Sequence, residues 1–267
     1  MIPFAVTLTP AERVNLLTVI LGLFWLYVPL SFICVTRYIA RQIDQGRFIN
    51  TASAPMPFAV SGLTGSFFAL IVIQMIFLQS PLFILLVFVG TAGLLMETGR
   101  TAAGQFGLDR LSLTRVMSWS VLVLGAVMLV IVPLSEAVAG LFDALHLPHP
   151  EQETVEAFRH FNRPSEFFDF VFEAVLLSPL IEELFFRGFL LTFLKKYTST
   201  WMALILSSGV FAFVHVNLGA ALPLWFLGLA LGLAYEHTGC LLLPIGIHAC
   251  WNLVTALSLL LDKGNPS

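Results

Sequence analysis

The residues that could do chemistry crowd into one apolar run. Leu180-Ile181-Glu182-Glu183-Leu184-Phe185-Phe186-Arg187-Gly188 sets two adjacent carboxylates and an arginine in the middle of a stretch from about Phe167 to Leu194. Asp169 and Glu173, near its start, are the only other charges in it. The run is long enough to cross a bilayer, and its central charges fall near the midplane. A charge there costs about 3 kcal/mol or more, so three of them within six residues point to use. Glu183 and Arg187 are four apart and can pair along one helix face. Glu182 lies about 100° around the helix from Glu183, so the two carboxylates span one inward arc. Pro179, one turn earlier, has no N–H and leaves the Val175 carbonyl without its helical partner, which predicts a kink or local hydration beside Glu182. Phe211 and His215 are again four apart, as are His248 and Asn252. Taken singly, each has a bland account: a structural ion pair, or a histidine satisfied by a neighbouring helix. Turned toward one another, they make a polar pocket with an acid/base inventory.

The elements that must position these residues are membrane helices. The 267 residues are 58% hydrophobic and 11% charged, with mean hydropathy +0.92. Soluble domains carry about 25% charged residues. Helix-length apolar runs argue against a β-barrel. The expected fold is therefore an all-α polytopic transmembrane bundle of about eight spans. They lie near Asn15–Cys34, Phe58–Leu78, Leu82–Met96, Met117–Leu134, Phe167–Leu194, Trp201–Val216, Leu222–Tyr235 and Leu241–Leu261. Three segments follow: N-terminal helices over 1–141, a polar loop over 142–166 and a C-terminal core over 167–261. With the N-terminus outside, Arg37, Arg41, Arg47, Arg100, Arg110, Arg115, Lys195 and Lys196 all fall on inner loops, as the positive-inside rule asks. Met1-Ile2-Pro3-Phe4 carries no basic leader region, so the first apolar segment reads as a retained span. Cys34, Cys240 and Cys250 lack metal-like spacing and read as packing residues. Gly228 and Gly232 form a GxxxG that reads as close helix packing. No basic tract suggests nucleic acid.

Glu182-Glu183-x-x-x-Arg187, then Phe211-x-x-x-His215, then His248-x-x-x-Asn252, in that order on successive hydrophobic stretches, resemble the three motifs of the CAAX protease and bacteriocin-processing family. These intramembrane proteases include the type II CAAX prenyl endopeptidases. The resemblance covers about Glu166 to Leu261 and keeps every motif position; the four N-terminal spans contribute nothing to it. It implies an intramembrane endopeptidase in which glutamate and histidine activate water and His248 and Asn252 form the oxyanion site. The residues themselves suit such work. Arg187 offsets Glu183 most directly, which leaves Glu182 freer to act as general base, and His215 could share its water. Asn252 donates without titrating. The family is often labelled as metalloproteases, and Glu182, His215 and His248 are the candidate ligand set if Zn2+ is bound. Metal-free activation is the preferred reading, because Arg187 and Asn252 fit positioning and oxyanion roles and are poor zinc ligands. His146, His149 and Glu151 in the polar loop are a weaker metal-site candidate.

The expected partners are a peptide or membrane-protein substrate and the lipid bilayer, in a bacterial plasma membrane. A non-catalytic scaffold or regulator on the same fold is the rival reading. A transporter ranks last, because no paired internal repeat is visible.

Overall fold

The structure is a computed structural model; it describes residues 10–46, 87–93, 101–147 and 171–263. Every regular element among the described residues is a helix. Helix α1 is Pro10–Asp44, α2 covers 87–93, α3 is Ala102–Phe106 and α4 is Leu113–Ala144. Helix α5 runs without a break from Phe172 to Leu194. Then come α6 (Thr200–Val214), α7 (Leu218–Thr238) and α8 (Leu242–Lys263). The fold is an all-α bundle. Leu113–Ala144, Leu218–Thr238 and Leu242–Leu259 are each long and apolar enough to cross a bilayer. The expected span at Phe58–Leu78, most of that at Leu82–Met96 and loop residues 148–166 lie outside the described residues.

Short polar side chains start the helices. The hydroxyls of Thr101, Ser112 and Ser199 accept the N–H groups of Gly104, Arg115 and Met202, and Asn217 Oδ1 accepts that of Ala220. Each such cap contributes about 1 kcal/mol by satisfying an orphan donor. Gly107 and Gly239 end α3 and α7, both at φ 62° in the left-handed region. They abut: a Cβ on Gly107 would collide with the Gly239 carbonyl. Beside them the Leu241 N–H donates to the Phe106 carbonyl at 3.0 Å, stitching α3 to the α7–α8 turn.

Several boundaries differ from the expected ones. Helix α4 continues past Leu134 to Ala144, so the polar loop begins after the helix and not at Phe142, whose side chain is still buried on it. Helix α7 is 21 residues long, well beyond Leu222–Tyr235. Its first turn is built by the Asn217 cap, and its last includes Glu236, which is buried against Lys195. Helix α6 stops at Val214, because Val216 turns left-handed at φ 49°.

The core gathers around the second half of α5. Phe185, Phe186 and Leu191 are buried with Leu204 and Phe211 of α6, Leu227 and Leu231 of α7 and Ile247 of α8. Helices α6 and α7 approach closely, as the GxxxG predicts. A Cβ on Gly228 would lie 3.0 Å from Ser208 Cβ, and one on Gly232 2.7 Å from Leu204 Cδ2.

Candidate active site

Helix α5 is wound unevenly around its glutamates. Phe172–Leu177 and Leu184–Leu191 are π-helical, Ser178–Glu183 between them is α-helical, and Thr192–Leu194 closes the helix in α form. The first wide turn answers the proline. The Ser178 N–H donates five residues back, to the Glu173 carbonyl. In that register the Ala174 carbonyl faces residue 179, which is Pro179 and has no N–H. The orphan is therefore Ala174, and not Val175 as an unbroken α-helix would leave. Asn252 of α8 supplies the missing donor: its Nδ2 reaches the Ala174 carbonyl at 2.7 Å. A buried carbonyl left unpaired would cost about 1–3 kcal/mol.

The charges sit one turn further on. Glu183 and Arg187 are 0% and 1% exposed. Arg187 Nη1 donates to Glu183 Oε1 at 2.6 Å, and Nη2 donates to the Gly228 carbonyl at 2.9 Å. The guanidinium carbon lies 4.8 Å from the Phe211 ring centroid and 5.8 Å from that of Phe186. Buried His248 brings Nδ1 to 2.9 Å from the same Oε1. A carboxylate can only accept, so Nδ1 carries the proton. Glu183 Oε2 is buried without a hydrogen-bond partner in the protein.

Glu182 is half-buried. Its Oε1 accepts from the Ser178 hydroxyl, and its Oε2 is buried and unpartnered. His215, at the C-terminal end of α6, holds Nδ1 2.7 Å from the Phe211 carbonyl. That carbonyl also only accepts, so Nδ1 is the protonated nitrogen and Nε2 keeps the lone pair of the neutral ring. The left-handed Val216 follows at once; such a conformation costs a β-branched residue about 1–3 kcal/mol. The Phe211 ring packs edge-on against His215, His248 and Phe186, at centroid distances of 4.8, 5.7 and 5.1 Å.

The structure thus brings Glu183, Arg187 and His248 into direct contact and joins His215 to them through Phe211. Asn252 reaches the backbone of α5 about two turns before Glu182, at the Ala174 carbonyl. Glu182 bonds Ser178 and His215 bonds Phe211; the two do not bond each other. The proposed zinc set of Glu182, His215 and His248 does not converge: among the described residues no three His, Cys, Asp or Glu side chains form a group that could hold a metal ion. His146 is exposed, and His149 and Glu151 lie outside the described residues.

Two further polar pairs lie away from this cluster. Lys195 Nζ contacts both oxygens of Glu236, at 3.0 and 2.8 Å, with both side chains buried. His237 Nε2 lies 2.8 Å from the Tyr38 hydroxyl of α1. Sequence reasoning missed Ser178, the Ala174 and Gly228 carbonyls and the Lys195–Glu236 pair. Only Ser178 left a local signal, its four-residue spacing from Glu182.

Membrane-length apolar helices around a buried carboxylate–arginine–histidine cluster define an integral membrane protein. Residues 164–254, which hold all six candidate residues, match the family model described as Type II CAAX prenyl endopeptidase Rce1-like, and through that segment the chain carries the family's pattern. No curated protein and no solved structure matches the chain.

Proposed function

We propose that the protein is an intramembrane endopeptidase of the CAAX type, hydrolysing a peptide bond with water activated by Glu182 and His215. One observation carries the reading. Two adjacent carboxylates are held by different partners, each keeps a buried oxygen without a protein partner, and two histidines of fixed tautomer stand on the facing helices. Arg187 and His248 occupy Glu183, so Glu182 is the carboxylate left to take a proton from water and to pass it to the leaving amine as the C–N bond breaks. His215 Nε2 is the second acceptor for that water. His248 gives its Nδ1 proton to Glu183 and, when protonated at Nε2 as well, donates to the oxyanion. Asn252 Nδ2 has two protons; one goes to Ala174 and the second serves the oxyanion. The Glu183 carboxylate fixes the His248 ring as an orienting partner does in other carboxylate–histidine pairs. The substrate is a peptide or the chain of a membrane protein, and the membrane is a bacterial plasma membrane.

The test is cleavage of a prenylated CAAX peptide by purified protein in vesicles, with the membrane proteome of expressing cells as the wider substrate screen. Glu182→Gln keeps shape and removes the base, so turnover should fall about 10²–10⁴-fold with an unshifted Tm. Full turnover in that variant would overturn the assignment. Activity should also survive thorough chelation; loss on chelation with recovery by zinc alone would sink the metal-free route.

A further inference from the structure

Threonine hydroxyls in these helices point backwards. Thr36, Thr91, Thr192, Thr198, Thr238 and Thr255 each donate to the carbonyl four residues earlier, at 2.7–3.1 Å. Ser207 and Ser258 donate three residues back, at 3.2 and 2.7 Å. That is the usual resting place of a hydroxyl inside a helix. Ser178 does the opposite: its hydroxyl donates forward, to Glu182 Oε1.

The carbonyl behind Ser178 has a partner on another helix. The carbonyl four residues before Ser178 is that of Ala174, and Asn252 Nδ2 already occupies it at 2.7 Å. The wide turn has also sent the Ser178 N–H to Glu173. A serine hydroxyl has one proton. A carboxylate is a stronger acceptor than a carbonyl that already holds a donor, and the proton goes to the carboxylate ahead.

We propose that Ser178 is a positioning residue for Glu182: its hydroxyl, turned forward to the carboxylate while Asn252 serves the Ala174 carbonyl, fixes Oε1 and reserves Oε2 as the oxygen that takes the proton. This rests on the reading of Glu182 as the base. Oε2 is the buried, unpartnered oxygen of that carboxylate, which is the state the division of labour requires. Without the hydroxyl the carboxylate rotates about its last torsion, a broad and soft one, and presents either oxygen.

Steady-state cleavage of the vesicle-embedded peptide separates the possibilities. Ser178→Ala should lower kcat about ten- to a hundredfold, the worth of a hydrogen bond to a charged group, with KM and Tm unchanged. Ser178→Thr restores the donor and should return kcat to within about threefold of wild type. Ser178→Cys, close in size but a weak donor, should behave as alanine does and covers the case of an alanine variant that folds poorly. Wild-type kcat in the alanine and cysteine variants, with Glu182→Gln inactive, would overturn the role of Ser178 alone. A fall in kcat matched by a fall in Tm and not rescued by threonine would also overturn it, as the mark of a packing role. Full activity in Glu182→Gln would instead remove the reading beneath it.

Discussion

Two buried ion pairs sit a few turns apart, and they treat their carboxylates differently. Lys195 spreads one ammonium over both oxygens of Glu236. Arg187 and His248 both converge on Oε1 of Glu183 and leave Oε2 without a partner. The pairs are equally buried, with side chains no more than 3% exposed. Burial therefore does not separate a structural pair from a site. The distribution of donors does: both oxygens of Glu236 are bonded, whereas Glu183 and its neighbour Glu182 each keep an oxygen without a protein partner.

Single-charge removals should have the largest effect on stability and should not distinguish the two. Arg187→Met or Lys195→Met removes the cation beside a buried carboxylate and should cost about 3–5 kcal/mol, read as a lower melting temperature in detergent. Removing both partners sharpens the contrast. Lys195→Met with Glu236→Leu should recover to within about 1 kcal/mol of wild type and still cleave. Glu183→Leu with Arg187→Met should recover similarly and not cleave. A folded but inactive Lys195/Glu236 double variant would break the comparison.

Asn252 should give a middle-sized effect that crosses the two categories. Asn252→Leu leaves the Ala174 carbonyl unpaired, at about 1–3 kcal/mol, and removes the proposed oxyanion donor. Stability and turnover should fall together, by thermal melt and by peptide cleavage. Tyr38→Phe removes only the hydroxyl that reaches His237, far along the chain from the candidate residues. It should cost about 1 kcal/mol and leave cleavage unchanged.

What the sequence made legible was local. Hydrophobic runs of helix length gave the all-α bundle, and four-residue spacing gave the Glu183–Arg187 pair and the Phe211–His215 contact. The length of α7 was understated because Asn217 and Glu236 look like loop residues; one is a cap and the other a buried ion-pair partner, and neither can be told from an apolar window. His248 meets Glu183 across 65 positions, and Lys195 meets Glu236 across 41. No periodicity reports such pairings. The misplaced orphan carbonyl has the same origin. Pro179 announced a broken ladder, but which carbonyl it stranded depended on a wide turn closed by a side chain of α8.

That wide turn has a consequence for chain length. A π turn holds one residue more than the α turn it replaces, and α5 has two stretches wound this way on either side of its glutamates. Phe172 and Leu176, in the first, are exposed, so many replacements there change little in the core. Deleting either one is another matter. It would let the turn tighten to α form and swing everything before it by about 100° relative to Glu182 and Glu183. The Ala174 carbonyl would leave Asn252, and the polypeptide arriving at α5 would enter from a new direction. At these positions the count of residues matters more than their identity, and one missing codon would do what few substitutions could.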